Sequence, residues 1–220
     1  MSNAIIFKRQ KAEIGILGTG SMGARLAAMF ARAGRSVALG SRSPDRALAI
    51  AHDLALPGLV GGSYEEALEA EAVLPAIFIR DGLFDILERN AAALDGKLLI
   101  DISNPYNEDY SDFILPWDTS GAEELQKRLP RTRVVGAFKN VFSAVFDNPL
   151  FLGTPSDVFL LGDDDGAKQE FLRLAEGTPF RYLDAGPLIN ARAIERMTMI
   201  TGALGRRLGS YPRMNWRLLG

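Results

Sequence analysis

Apolar residues in this chain come in short blocks separated by stretches with helical spacing. Glu13 to Leu17 is a short apolar strand that stops at Gly18, and Ser21 to Ala33 follows with apolar positions at Met22, Leu26, Met29 and Phe30. Gly34 is placed to end that helix. The rhythm then repeats. Ser36 to Leu39 reads as a second strand, and Ser43-Pro44 as an N-cap with proline at the first helical position. Leu59 to Gly61 reads as a third strand, and Ser63-Tyr64-Glu65-Glu66 as a capping box. The apolar run Ala72 to Ile79 predicts a fourth strand, shortened or bent near Pro75 because proline has no ladder donor. Lys97 to Ile102 and Arg133 to Ala137 are the fifth and sixth. Further on, strands over 157–161 and 180–183 flank a helix over 164–175, and a last helix covers 191–208. Strands alternating with helices predict βαβ units, a parallel sheet and the α/β class. The irregular stretch is Asn104 to Thr119, rich in turn formers, aromatics and acids, and loops of that length are often functional.

Composition narrows the chemistry. The 220 residues suffice for one full domain with a small extension, 47% are hydrophobic and 24% charged, and the net charge is -2. No global field favours nucleic acid, and no window approaches the ~20 apolar residues of a membrane span. The basic residues of MSNAIIFKRQKAE follow its small apolar run, so the N-terminus does not read as a signal peptide and a cytoplasmic protein is the default. Absence of cysteine removes disulfides, thiolate metal sites and thiol nucleophiles, and with a single histidine no metal site is expected. His52 sits in a helical pattern away from any motif and reads as a partly exposed helix residue.

Gly18-Thr19-Gly20-Ser21-Met22-Gly23 is G-x-G-x-x-G between a predicted strand and a predicted helix. In that context Gly18 permits the tight turn, Gly20 lets a pyrophosphate approach, and Gly23 lets the helix pack on the strand. Amides at the helix start bind the anion. About 20 residues beyond such a loop an acid would bind the ribose hydroxyls of NAD. Here Gly40, Ser41, Arg42 and Ser43 stand instead, with Arg46 on the next turn. Gly40 leaves room, the serines offer hydroxyls, and Arg42 and Arg46 offer guanidiniums to a 2′-phosphate. The expected cofactor is NADP(H).

On further motifs the chain resembles the NADPH-dependent F420 reductases, and the cytosolic domain of the STEAP metalloreductases is similar in the same places. The motifs are Asp101-Ile102-Ser103-Asn104-Pro105, Val134-Val135-Gly136-Ala137-Phe138 with Asn140 and Phe142-Ser143-Ala144, Gly162-Asp163-Asp164-Asp165, Leu183-Asp184-Ala185-Gly186-Pro187-Leu188 and Asn215-Trp216-Arg217-Leu218. The resemblance implies a Rossmann-type, doubly wound, mainly parallel sheet over residues 1–150. It implies a small C-terminal α/β extension over 151–220 that completes the substrate cleft. It implies that Gly18 to Gly23 hold the pyrophosphate and that Ser41, Arg42 and Arg46 hold the 2′-phosphate. Ala76, Ile77, Phe78, Asn104 and Ala137 would pass near the nicotinamide. Asn140, Gly186, Pro187 and Leu188 would lie beside the second substrate, a planar acceptor such as F420 or a flavin. A homodimer is the implied assembly, with the stripe Ile194, Met197, Ile200 and Leu204 as core or interface. Lys139 reads as an insertion in the family's Ala-Phe-Asn run. The 105–118 loop carries Glu108, Asp109, Asp112 and Asp118, which would repel an anionic acceptor tail if they lined the cleft.

Hydride transfer between two organic cofactors asks the protein for position and exclusion of water, so no catalytic side chain is expected. Two alternatives remain open at this stage. One is a carbonyl or imine reductase of the β-hydroxyacid dehydrogenase type, for which Lys139 is the lysine close enough to the cleft. The other is a non-enzymatic NADP(H) sensor.

Overall fold

A computed structural model describes residues 11–219. Most of the N-terminal stretch weighed as a signal peptide lies outside the described residues. In chain order the elements are β1 (Ile14–Leu17), α1 (Ser21–Arg32), β2 (Val37–Ser41), α2 (Pro44–Leu54), β3 (Leu59–Ser63), α3 (Tyr64–Leu68), β4 (Ala72–Pro75), α4 (Leu83–Arg89), α5 (Ala91–Leu94), β5 (Leu98–Asp101), α6 (Gly121–Arg128) and β6 (Arg133–Gly136). They are followed by the short hairpin β7 (Leu150–Phe151) and β8 (Thr154–Pro155), then β9 (Asp157–Leu160), α7 (Asp165–Ala175), β10 (Arg181–Asp184) and α8 (Ala191–Arg207). The fold is Rossmann-like α/β, as the alternation predicts.

Six strands form one parallel sheet in the order β3-β2-β1-β4-β5-β6. The order reverses beside β1, where a doubly wound sheet opens a crevice at the carboxyl ends of its strands. β4 stops at Pro75, the bend its sequence foretells. Ser63 caps α3 in a reciprocal box with Glu66, with bonds of 3.2 and 2.7 Å. Strands β1, β4 and β5 are wholly buried, the signature of a sheet covered on both faces.

The C-terminal part attaches to the edge of this sheet. β9 and β10 pair in parallel, and an antiparallel bridge between Gly136 and Leu161 joins them to β6 with bonds of 2.8 and 2.9 Å. Core residues from both sides of position 150, such as Ile14, Leu26, Val158 and Phe171, belong to one cluster. The helix α8 reaches the carboxyl end of β5, where Glu195 and Asp101 share Lys139. It buries Ile194 and packs Met197 against the core, while Ile200 and Leu204 are exposed, so the expected stripe divides between two environments. His52 is exposed on α2. Among the described residues no helix is long and apolar enough to cross a membrane.

Candidate functional site

The glycine loop joins β1 to α1. Gly18 has φ +113°, and a Cβ there would lie 2.7 Å from the Ala76 carbonyl oxygen. A Cβ on Gly23 would lie 1.9 Å from the Gly18 carbonyl oxygen. Gly20 differs: a Cβ there would meet nothing within 4 Å, so the open side of the loop faces space large enough for a ligand. Gly20 is the N-cap of α1 without a side-chain cap, and no acid occupies the first turn. The first amides of a 12-residue helix are thus unclaimed, in a cradle that fits a pyrophosphate.

The carboxyl end of β2 lies alongside. Thr19 Oγ1 is 3.4 Å from Ser41 Oγ, the Ser43 amide donates to Ser41 Oγ at 3.1 Å, and Arg46 Nη2 donates to the Thr19 carbonyl at 3.4 Å. Arg42, Ser43 and Arg46 are exposed. The structure brings Thr19, Ser41, Ser43 and Arg46 into one group, and Arg42 stands exposed between Ser41 and Ser43 in the chain. Gly40 needs another explanation than the sequence suggested. A Cβ there would lie 2.8 Å from both the Ala67 Cβ and the Ser63 carbonyl oxygen, so Gly40 admits helix α3 and leaves no room for a phosphate.

Beyond the loop a cavity of about 370 Å³ opens at the carboxyl end of the sheet. Of the expected cofactor residues, Gly20, Ser21, Met22, Ala76, Ile77, Phe78 and Asn104 line it. Ala137 does not. It is wholly buried and donates its amide to the Asp101 carbonyl at 3.0 Å, while its neighbours Phe138 and Lys139 reach the wall.

The four expected substrate residues also lie elsewhere. Asn140 is buried, with Nδ2 donating to the Asp157 carbonyl (2.8 Å) and Asn215 Oδ1 (3.1 Å), and Oδ1 accepting from the Phe159 amide (3.2 Å). Its amide is spent on tying β9 and the C-terminal segment together. Leu188 is a core residue, its amide bonded to Asp163 Oδ1 at 3.0 Å. Gly186 makes the preceding turn at φ +86°, and Pro187 is exposed and does not line the cavity. The cleft is instead closed by Tyr106, Tyr110, Phe142, Ser143, Thr198, Met199, Gly202, Arg206 and Tyr211. In the sequence, the aromatic content of the 104–119 loop pointed to Tyr106 and Tyr110 and the motif Phe142-Ser143-Ala144 to Phe142 and Ser143, while nothing signalled the α8 residues or Tyr211.

That loop is well tied down. Arg80 Nη1 donates to the Tyr106 (3.2 Å) and Asn107 (2.7 Å) carbonyls, and Nη2 to the Tyr110 hydroxyl at 2.8 Å. Its guanidinium lies 4.1 Å from the Phe78 ring and 4.5 Å from the Tyr110 ring. The Tyr106 hydroxyl donates to Thr198 Oγ1 on α8 at 2.5 Å. The acids turn outward. Asp109 accepts from Ser111 Oγ (2.6 Å) and its amide (3.0 Å), and Asp112 from the Phe113 amide (2.7 Å). The bond from the Ser111 hydroxyl holds the Asp109 carboxyl below its usual range. Glu108, Asp109, Asp112 and Asp118 are all exposed, and none lines the cavity.

Lys139 is buried under the cleft. Phe138 takes φ +56°, which turns the chain and sends the Lys139 side chain inward. Nζ lies 2.6 Å from Asp101 Oδ2 and 2.8 Å from Glu195 Oε1, and donates to the Ser103 carbonyl at 2.5 Å. Asp101 Oδ1 accepts from the Ser103 hydroxyl (2.6 Å) and amide (2.9 Å), and Glu195 from the Gly121 (3.0 Å) and Ala122 (3.3 Å) amides at the start of α6. Burial pulls the Lys139 ammonium down, and the two carboxylates override it, leaving its pKa above the ordinary range. Burial raises the Glu195 carboxyl, against the opposing pull of Lys139.

Similarity to known proteins agrees with this geometry. Residues 13–105 match the family described as NADP oxidoreductase, coenzyme F420-dependent. The chain is 32% identical to the F420-dependent NADP reductase of Methanothermobacter marburgensis over 82% of this chain and 86% of that protein. It is also 32% identical to the metalloreductase STEAP3 of Rattus norvegicus, over 87% of this chain but only 37% of that longer protein. A crystal structure of a candidate F420-dependent NADP-reductase from Arthrobacter sp. FB24 superposes with a TM-score of 0.79 at 26% identity, covering 95% of this chain and all of the other. Imine reductases such as that of Pseudomonas sp. share the fold, with a TM-score of 0.60 at 17% identity. A glycine loop of this form, in a chain matched along most of an NADP reductase, makes the protein an NADP-dependent oxidoreductase that belongs to the F420-dependent NADP oxidoreductase family.

Proposed function

We propose that the protein transfers a hydride between NADPH and a planar redox acceptor, F420 or a flavin, bound in the cavity beside the glycine loop. The observation that carries this reading is the cavity wall. It joins Gly20, Ser21 and Met22 at the helix start to aromatic side chains of Phe78, Tyr106, Tyr110, Phe142 and Tyr211, with no carboxylate among the lining residues. Flat conjugated rings pack well against such walls.

In this reading the amides at the start of α1 bind the pyrophosphate, and Ser41, Arg42, Ser43 and Arg46 bind the 2′-phosphate. Met22, Ala76, Ile77, Phe78 and Asn104 flank the nicotinamide half. When bound, the dihydronicotinamide supplies the hydride. The chain orients both rings, and solvent protonates the acceptor. The outward turn of the loop acids supports an acceptor with an anionic tail. Residues 151–220 serve as the far wall of the cleft through α8 and Tyr211. The exposed Ile200 and Leu204 support a homodimer.

A reductase that uses Lys139 as proton donor finds no support, because the Lys139 ammonium is buried and committed to Asp101 and Glu195. The test is spectroscopic. Purified protein is mixed with NADPH and, separately, F420, FMN, FAD and riboflavin, and the nicotinamide and acceptor bands are followed. Rapid turnover with one of them is expected. Tight NADPH binding without turnover of any planar acceptor would overturn the reading in favour of a sensor.

A further inference from the structure

We propose that Arg206 is a specificity-determining residue, which holds an anionic substituent of the acceptor at the mouth of the cavity. This rests on the planar-acceptor reading above and goes beyond it by assigning the residue that reads the acceptor's charge. Arg206 lies in the last turn of α8 and lines the cavity. Its guanidinium is propped 4.7 Å from the Tyr211 ring, and Nη1 donates at 3.4 Å to the Gly202 carbonyl one turn back. Tyr211 is itself held in place. Its amide and that of Ser210 donate to the Gly205 carbonyl (3.1 and 2.8 Å), and its ring meets the edge of Phe142 at 6.1 Å.

The charge around Arg206 is unbalanced. The cavity wall holds one other cation, Lys139, whose ammonium is already matched by Asp101 and Glu195. Among the described residues that line the cavity there is no acid to pair with Arg206. The aromatic lining of the cleft thus suits a flat ring, and the exposed, unpaired guanidinium on its rim suits an anion attached to that ring. A guanidinium preorganised on an aromatic face gives phosphate or carboxylate a charge-assisted, two-pronged contact.

FMN and riboflavin test this, since they share one ring system and differ by a phosphate. Steady-state kinetics with NADPH, F420 and both flavins are compared for the native protein, Arg206→Ala and Arg206→Lys. The native protein should favour FMN over riboflavin in KM. Arg206→Ala should raise KM for FMN and F420 about tenfold, the loss of one charge-assisted contact. It should leave riboflavin and the NADPH Kd unchanged, and Arg206→Lys should restore part of the loss. Arg206 is exposed, so Arg206→Ala is expected to melt like the native protein. Equal effects on FMN and riboflavin, or no effect on any anionic acceptor, would overturn the assignment. A rise in the NADPH Kd would move Arg206 to the cofactor and overturn it too. If the native protein reduces none of the acceptors, the planar-acceptor reading fails first and takes this one with it.

Discussion

Gly20 and Gly23 lie in one loop and are glycine for opposite reasons. A Cβ on Gly23 would strike the Gly18 carbonyl oxygen at 1.9 Å, whereas a Cβ on Gly20 would touch no protein atom within 4 Å. The backbone of Gly20, φ -71° and ψ -179°, is one that alanine adopts freely. Gly23→Ala should therefore cost folding stability, about 1–3 kcal/mol or more, through displaced backbone. Gly20→Ala should leave the melting temperature of the ligand-free protein within a degree or two and still lose most NADPH affinity, because the methyl occupies the approach of the pyrophosphate. Thermal denaturation and NADPH titration of the two variants check this. Unimpaired binding by Gly20→Ala would mean that the pyrophosphate does not approach there.

At the scale of elements, Lys139 is a latch between three of them: the end of β5 through Asp101, the turn after β6, and α8 through Glu195. Removing the cation leaves two buried carboxylates facing each other, and breaking a buried pair from one side costs about 3–5 kcal/mol. Lys139→Met should lose that much in urea denaturation, and Lys139→Met combined with Glu195→Gln should recover part of it. A stable, NADPH-binding Lys139→Met with no turnover would instead make Lys139 a proton donor. A second tie lies at the start of β9. Asp157 accepts from Arg181 Nε and Nη2 (both 2.7 Å), Arg217 Nη1 (3.3 Å) and the Leu218 amide (2.6 Å). Burial pushes the Asp157 carboxyl up, but the bonds from Arg181 and Leu218 and the nearby cations prevail and hold it below its usual range. A depressed folded pKa stabilises above the unfolded value of about 3.9 and is lost as pH falls through both. The melting temperature should drop as pH falls below about 4, and Asp157→Asn should be less stable at pH 7 but flatter over that fall. The elements themselves were legible because their signals are local: Ser63 and Glu66 lie three residues apart, and Pro75 ends the strand in which it sits. Lys139 was not, since its partners Asp101 and Glu195 are 38 and 56 residues away and only the fold unites them.

For the whole molecule the same contrast governs the cleft. The glycine loop and the end of β2 were legible because one βα unit and the following strand carry them, whereas Ala76 to Phe78 after β4 and Asn104 after β5 came from the family resemblance. The acceptor side was not, because its wall is assembled from the 104–119 loop, α8 and the segment after it. The family motif Gly186 to Leu188, expected beside the second substrate, does not line this cavity, and Leu188 belongs to the core. One measurement on the intact protein weighs the cofactor reading as a unit. A ligand that binds only the folded chain stabilises it by about 2.7 kcal/mol at a hundredfold excess over its Kd. For a chain of this size that is a rise of about 5–10 °C in melting temperature. NADPH should produce it, and NADH at the same concentration should produce clearly less, since Ser41, Arg42, Ser43 and Arg46 offer no carboxylate to the ribose and two cations to a phosphate. Arg42 is exposed, so Arg42→Ala should melt like the native chain without nucleotide. It should lose about 2 kcal/mol of NADPH affinity, roughly thirtyfold, which brings the NADPH shift down towards that of NADH. Equal shifts by both nucleotides in the native protein would mean that the 2′-phosphate meets none of these side chains, and the preference for NADP(H) over NAD(H) would fall with it.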